Sequence, residues 1–238
     1  MSADETEAIV LRLVDHGETN RIATFYSPTL GRFAAIARGA RSRSRRFGGH
    51  LDLFHRGNAL LKMPKRGGMP VLTDFSATEM FSSLRGDLDR FSVASFFLEL
   101  VLRSTVDRDP STTQYEAISE ALQTVADSPE PMRPDLIVGF QLRWFALLGE
   151  LPPLEASELA AAHLPPLEDS TLSIARALAE GVSVTDLDEA HFRAVGVLTH
   201  ALRNRINGRP LGSSRMLAEM LADHWLERRT NLQALPDG

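Results

Sequence analysis

The period of the hydrophobic residues changes near residue 80, and this change constrains the fold more than any other feature of the sequence. Before it, apolar residues form short runs of strand length, separated by turns that carry glycine or proline. After it, they recur every three or four residues, as they do on one face of a helix. We therefore predict an α+β protein, with a domain of strands over residues 1–80 and a helical domain over residues 81–238.

Five strand-like segments precede residue 80. They are residues 8–14, 21–26, 32–37, 51–63 and 69–77, and turn-forming residues separate them. Five strands with glycine-bearing connections predict a small OB-fold barrel, although an SH3-like barrel would give a similar one-dimensional pattern.

Six apolar stripes with a helical period follow. The first, from Phe91 to Leu102, is apolar on most sides, and the third ends at Gly149 with Pro152 shortly after it, the usual order at a helix C-terminus. The proline-dense residues 151–166 separate the third and fourth helices. They predict a connector around one short helical turn.

Charge is distributed unevenly along the chain. Residues 1–66 carry 12 lysines and arginines against 6 acidic residues, net +6, whereas residues 67–238 carry 14 against 25, net −11. A positive field at one end of a negative protein attracts polyanions. Five of the arginines fall within nine positions between the third and fourth predicted strands: Arg38, Arg41, Arg43, Arg45 and Arg46.

This arginine loop matches a physical task. Guanidinium groups stay charged and donate forked hydrogen bonds to phosphate oxygens, so the loop predicts contact with a nucleic-acid backbone. A solvated loop that only aids solubility is the alternative. The predicted DNA-binding residues are Arg38, Arg41, Arg43, Arg45, Arg46, Phe47, Arg56, Lys62, Lys65 and Arg66. Phe47 is a candidate for stacking on a base, but a phenylalanine after a loop can equally fill the barrel core.

A second group of arginines lies near the end of the chain, at positions 203, 205, 209 and 215. We predict Arg203, Arg209 and Arg215 as contacts for an acidic protein partner or for additional DNA. For Arg203 and Arg205, stabilisation of a helix C-terminus is an equally good interpretation.

The sequence offers little for catalysis. It has no cysteine, none of its seven histidines forms a His-Glu-x-x-His pair, and phosphate-binding and nucleophile motifs are missing. We predict a protein that is not an enzyme and that needs no metal or other cofactor. No apolar run reaches the length of a membrane span or a signal peptide, which predicts no membrane contact and a cytoplasmic, nucleoid-associated location.

Several motifs resemble one family, the bacterial recombination mediator RecO. They occur in order along the chain as Thr6-Glu-Ala-Ile-Val-Leu11, His16-Gly-Glu-Thr-Asn20, Ala37-Arg-Gly-Ala-Arg41, Arg45-Arg-Phe-Gly-Gly49, Leu84-Arg-Gly-Asp-Leu88 and Pro210-Leu-Gly-Ser-Ser-Arg215. The resemblance implies an N-terminal OB-fold and a helical domain that bind single- and double-stranded DNA. It also implies annealing of complementary strands and help in loading RecA recombinase onto DNA coated by single-stranded-DNA-binding protein.

The implied partners are RecR, in some members RecF, and the acidic C-terminal tail of the single-stranded-DNA-binding protein. Many members also carry a four-cysteine zinc module in the helical domain. Because this sequence has no cysteine, we predict a shortened, zinc-free insertion around residues 150–168. An adaptor that scaffolds acidic proteins, or an RNA-binding protein, would fit the same basic barrel.

Overall fold

The computed structural model describes residues 3–42, 47–64, 67–184, 187–208 and 210–233, without the side chains of residues 3, 207, 224 and 226–233. Within this part of the chain there are five strands and eight helices. The strands are β1 Ala3–His16, β2 Asn20–Ser27, β3 Gly31–Ala37, β4 Arg56–Lys62 and β5 Val71–Glu79.

The five strands form a closed barrel in the order β1-β2-β3-β5-β4. β1, β2 and β3 pair antiparallel, β3 pairs parallel with β5, and β4 pairs antiparallel with both β5 and β1. This closed order, with the third strand beside the fifth, is the OB-fold arrangement. The structure thus confirms the predicted fold class and selects it over the SH3-like alternative.

The start of β4 differs from the prediction. Residues 51–55 are apolar enough to suggest a strand, but Phe54 has a φ of 71°, which a strand cannot accommodate. Leu51 and Phe54 are nevertheless buried. Leu51 reaches the barrel core from a loop, and the burial of such loop residues is why their hydrophobicity resembles that of a strand.

The barrel core consists of residues that alternate along each strand. Small alanines, including Ala23, Ala35 and Ala59, leave room for Phe25 and Phe33, whose rings stack with centroids 5.1 Å apart. The register of β1 and β2 shifts between Val10 and Arg12. Such a bulge reverses which residues of a strand point outward.

The helices are α1 Ser83–Gly86, α2 Leu88–Ser104, α3 Thr112–Asp127, α4 Pro134–Leu147, α5 Ala156–Ala161, α6 Asp169–Ala179, α7 Glu189–Asn207 and α8 Gly212–Gln233. The six predicted helices correspond to α2, α3, α4, α6, α7 and α8. The proline-dense connector contains α5, the predicted short helix. None of the described helices combines the length and the low charge that a membrane crossing requires.

The chain divides into two compact units. One, the barrel unit, contains residues 1–86 and 100–126, and the other, the helical unit, contains residues 87–99 and 127–238. Helix α2 contributes to both units. The predicted domain boundary at residue 80 stays a prediction.

Polar contacts join α3 to the strands of the barrel unit. The Tyr26 hydroxyl donates to Gln114 Oε1 at 2.5 Å, and Arg56 Nη1 donates to Ser119 Oγ at 2.6 Å. Burial, with a smaller effect of the Asp109 charge, raises the pKa of Tyr26 to about 12. Its hydroxyl therefore remains a hydrogen-bond donor at neutral pH.

Aromatic and polar contacts hold the helical unit together. Phe97 and Phe140 lie 4.2 Å apart between ring centroids, and Phe140 stacks on Trp144 at 5.9 Å. Glu99 accepts hydrogen bonds from the backbone N–H groups of Gly212 and Ser213, at 2.9 and 2.8 Å. Since these N–H groups begin α8, Glu99 caps that helix from α2.

Candidate nucleic-acid interface

Two arginines converge on one carboxylate beside the turn between β1 and β2. Arg21 Nε lies 3.1 Å from Asp15 Oδ1, and Arg41 Nε lies 3.2 Å from Asp15 Oδ2. The Asp15 side chain is 53% exposed, so another anion can reach the same donors from solvent. Two guanidinium groups around an oxyanion are an arrangement that a phosphate satisfies as well as a carboxylate does.

Backbone contacts hold the start of the arginine loop against this turn. The Arg41 N–H donates to the Thr19 carbonyl at 2.9 Å, and its side-chain Nη1 donates to the Gly17 carbonyl at 3.3 Å. The Gly39 N–H donates to Asn20 Oδ1 at 3.1 Å. Gly39 has a φ of 71°, a value that favours glycine, and this allows the chain to turn sharply after β3.

A pocket of about 250 Å³ lies between residues 40–42 at the start of the arginine loop and residues 47–49 at its end. Arg21 and Arg41 line it together with the hydroxyl-bearing Ser42 and the backbone of Gly48 and Gly49. The one acidic side chain among its described lining residues, Asp52, forms an ion pair with Arg85. The described lining of the pocket therefore carries more positive than negative side chains.

Phe47 belongs to the barrel core. It is 6% exposed and packs with the other core residues of the strands. This burial favours the alternative that Phe47 fills the barrel core, because a ring covered by core residues offers no face to a base. Phe47 also lines the pocket, so its ring connects the pocket to the barrel core.

The other predicted DNA contacts lie in different surroundings. Arg38 and Lys62 are exposed, at the ends of β3 and β4. Arg56 is partly buried and donates to Ser119 on α3, so its guanidinium already serves the packing of the barrel unit. This placement argues against Arg56 as a DNA contact. The remaining members, Arg43, Arg45, Arg46, Lys65 and Arg66, lie outside the described residues.

The predicted arginines of the helical domain differ in their exposure. Arg203 points inward, where its Nη1 donates to Gln141 and its guanidinium carbon lies 5.6 Å from the Phe96 ring centroid. Burial lowers its pKa to about 10. The guanidinium of Arg203 thus serves packing within the helical unit, which argues against a contact with a partner or with DNA.

The other two members differ. Arg215 is 89% exposed and pairs with Glu219 one turn later at 3.0 Å. Arg209 lies outside the described residues.

Sequence reasoning missed two residues of the barrel site and one exposed arginine elsewhere on the barrel. Asp15 and Arg21 form the centre of the site, and Arg12 lies exposed on the outer surface of β1. Arg21 could have been found, because the pairing of a hairpin places residues near its turn opposite each other. Arg12 depends on the bulge in β1, for which the sequence contains no signal.

The described residues offer no metal centre. Among them, no group of three or more histidine, aspartate or glutamate side chains could hold a metal ion. A four-thiolate zinc module does not fit this chain, which has no cysteine.

The fold and the site together define a class: an OB-fold barrel with an arginine-lined pocket, followed by a helical region. The family model described as "Recombination protein O N terminal" matches residues 1–81, and "Recombination protein O C terminal" matches residues 85–203. The chain belongs to the RecO family, as its motifs predict.

Curated relatives agree with the family models. The "DNA repair protein RecO" of Anaeromyxobacter dehalogenans strain 2CP-1 is 32% identical over 156 residues, which cover 66% of this chain and 61% of the relative. The protein of the same name from Desulfatibacillum aliphaticivorans is 29% identical over 151 residues, 63% of this chain and 58% of the relative. The chain thus spans about three fifths of the length of these relatives.

Proposed function

We propose that this protein acts in DNA repair and recombination by binding single- and double-stranded DNA and annealing complementary strands. The observation that carries the proposal is the convergence of Arg21 and Arg41 on Asp15 at the rim of a pocket that both arginines line. The names of the relatives, DNA repair protein RecO, favour DNA over other polyanions as the ligand.

The mechanism follows from ion exchange. A DNA phosphate takes the place of the Asp15 carboxylate between the two guanidinium groups, and the condensed counterions of the DNA are released. Two DNA strands repel each other through their phosphates. Neutralising the phosphates of one strand lowers that repulsion, so complementary strands pair faster on the protein than in solution.

The wider role is proposed from family membership. In it, the protein assists the loading of RecA recombinase onto DNA coated by single-stranded-DNA-binding protein, with RecR and in some organisms RecF as partners. Neither step needs bond-making chemistry by this chain, so we propose a mediator without enzymatic activity, located in the cytoplasm with the nucleoid. Arg215, exposed on α8, is our candidate contact for the acidic tail of the single-stranded-DNA-binding protein.

The central experiment removes both charges from the site. In the double variant Arg21→Gln and Arg41→Gln, we expect weaker binding to every oligonucleotide sequence. The slope of log K against log salt on single strands should become shallower by about 0.7, since the two guanidinium groups share one phosphate and each lost phosphate contact contributes about 0.7. Arg193→Gln is the matched control, because it removes an arginine of the helical unit that is 73% exposed and pairs with Glu189. An unchanged affinity and slope in the double variant would overturn the site.

A second variant tests the replacement of Asp15 by a DNA phosphate, and here DNA affinity should rise rather than fall. Asp15→Asn removes the competing carboxylate but keeps the size of the side chain. We expect DNA affinity to rise about threefold, because the phosphate then displaces a neutral group rather than an ion. Weaker binding in this variant would contradict the exchange mechanism.

Strand annealing with salt titration distinguishes the alternatives. A DNA-repair mediator accelerates annealing of naked DNA and of DNA coated with the cognate single-stranded-DNA-binding protein. Faster annealing of RNA than of DNA would indicate an RNA-binding protein. Binding of acidic peptides without binding of either nucleic acid would indicate an adaptor.

A further inference from the structure

The described part of the barrel unit presents no phenylalanine, tyrosine or tryptophan ring for stacking on a base. Phe25 and Phe33 stack on each other in the core, and Tyr26 is buried with its hydroxyl on Gln114. Phe47 and Phe75 are core residues as well. A barrel that binds single strands needs some other surface for the bases, because aromatic stacking is the usual contact.

An aliphatic surface lies across four strands of the barrel. Val14 pairs with Ile22, Ile22 with Ile36, and Ile36 with Val71. We call these four residues the aliphatic row. Neighbouring strands are about 4.8 Å apart, so the row is about 14 Å long.

The aliphatic row faces outward. The residues that alternate with its members point into the core, including Leu13, Ala23, Ala35 and Leu72. Val14 is 39% exposed, and the other three members are partly exposed. Four β-branched side chains side by side on a pleated sheet form a partly exposed apolar surface.

Three cations lie beside the aliphatic row. Lys62 pairs with Val71 and continues the row onto β4. Arg12 lies two residues before Val14 on β1, and Arg38 follows the end of β3, two residues after Ile36. All three cations are exposed. An apolar strip with cations at its margins matches a ligand that has flat apolar groups on a polyanionic backbone.

We propose that the aliphatic row contacts the faces of unpaired bases of single-stranded DNA, while Arg12, Arg38 and Lys62 bind the flanking phosphates. The inference rests on the proposed function and specifies which surface of the barrel contacts the bases. In a duplex the base faces are stacked on one another and cannot reach the row. The row therefore contributes to single-strand binding and leaves duplex binding to the arginines.

Contact through base faces is compatible with annealing. A base lying flat on the row keeps its Watson–Crick edge free, so a complementary strand can pair with it before it leaves the protein. Contact through the faces also requires no particular base, because every base has an apolar face. Sequence-independent annealing follows from this geometry.

The first test replaces two central members of the row by a polar residue of the same branched shape. In the double variant Ile22→Thr and Ile36→Thr, single-strand affinity should fall about tenfold through loss of apolar contact area. Duplex affinity and the salt slope should stay unchanged. Val197→Thr, which alters a 55% exposed valine on α7, is the control. Circular dichroism and the thermal midpoint verify that the variants are folded.

The second test is designed to increase the affinity for single-stranded DNA. Val14→Trp places an aromatic ring at the most exposed position of the row, in a background where Trp144 and Trp225 are replaced by phenylalanine. We expect tighter single-strand binding, by about tenfold from one stacked base, with quenching of tryptophan fluorescence by single strands and not by a duplex. A misfolded variant cannot show this gain.

The outcomes separate this inference from the proposed function. Failure of the unaltered protein to bind DNA would overturn the proposed function. DNA binding by the unaltered protein together with unchanged single-strand affinity in the threonine variant and no quenching in the tryptophan variant would overturn the aliphatic row alone. Loss of binding to a protein partner, with DNA binding intact, would also overturn it and indicate a protein-docking surface.

Discussion

Arginines have different roles in the two units. In the barrel unit, Arg21 and Arg41 converge on Asp15, an exposed carboxylate that another anion can replace. In the helical unit, Arg133 forms two hydrogen bonds with the buried carboxylate of Asp135, and Arg203 donates to the buried Gln141. The number of arginines in a region therefore says little about binding until the exposure of their partners is known.

The physical reason is desolvation. A buried acceptor such as Gln141 cannot turn to water, so it holds its arginine in place, and removal of either partner is costly. An exposed carboxylate such as Asp15 is solvated with or without its arginines. Only the exposed kind of pair can open for a ligand at little cost.

The largest expected effect concerns the buried pair of the helical unit. Asp135 is 3% exposed and accepts hydrogen bonds from Arg133, Ser183 and the Val184 N–H. Asp135→Ala should lower the free energy of unfolding by about 3 kcal/mol, because it leaves the partly buried Arg133 charge without a partner. Urea denaturation measures the loss. Arg215→Ala, which breaks an exposed pair, should cost less than about 0.5 kcal/mol.

A glycine pair tests the packing of the barrel unit. Gly31 has a φ of 65°, and a Cβ there would lie 2.4 Å from the Asp109 carbonyl oxygen. Gly31→Ala should therefore cost about 2 kcal/mol or more through strain and overlap. Gly17 has nearly the same φ, 63°, but a Cβ at Gly17 would have nothing within 4 Å. Gly17→Ala should cost only about 1 kcal/mol, and equal costs would show that Asp109 does not restrict Gly31.

The same substitution, arginine to glutamine, in each unit tests directly whether the two units use their arginines differently. Arg203→Gln should lower the free energy of unfolding by about 1.5 kcal/mol and leave DNA affinity unchanged, because it removes a donor to a buried amide oxygen. Arg41→Gln should weaken DNA binding about fivefold and change stability little. Filter binding and thermal unfolding of both variants provide the four measurements. Weaker DNA binding in Arg203→Gln would show that Arg203 contacts DNA and would contradict this comparison.

The smallest expected effect is a pH dependence in the helical unit. Asp188 caps α7, and the hydrogen bond from the His191 N–H, at 2.8 Å, is the main cause that lowers its pKa. Because the pKa is lower in the folded state, the stabilisation is present above the ordinary aspartate pKa and is lost as pH falls through the folded value.

Asp188→Asn keeps a capping side chain but removes the titration. The unfolding midpoint of this variant should therefore fall less than that of the unaltered protein between about pH 6 and pH 3, on either side of the ordinary aspartate pKa. Parallel pH profiles for the two proteins would contradict a role of Asp188 ionisation.

Much of the fold was predictable because its signals are local. The alternation in residues 32–37 and the helical stripe around Phe91 each depend on neighbours within one or two turns of chain. The start of β4 was not predictable in this way, because Leu51 and Phe54 are buried from a loop. Burial alone does not distinguish a strand from a loop that enters the core.

The candidate site was predicted only in part. The charge of the arginine loop pointed to its general position, since Arg41 lines the pocket, and Arg38 and Lys62 are exposed at the ends of β3 and β4. Phe47 and Arg203 were assigned to ligands from their residue types, although each has a partner inside its own unit. The residue type predicts which ligands a side chain can bind. Its contacts in the folded protein determine whether it is free to bind them.

The sequence by itself determined the two kinds of secondary structure, their order and the positive charge of the N-terminal third, because period and composition act over short stretches of chain. Only the tertiary structure decided that Arg21 and Arg41 meet at Asp15, and that Val14, Ile22, Ile36 and Val71 form one row. Those contacts depend on strand register and on the bulge in β1. Both are set by how the whole barrel closes, and no single segment encodes them.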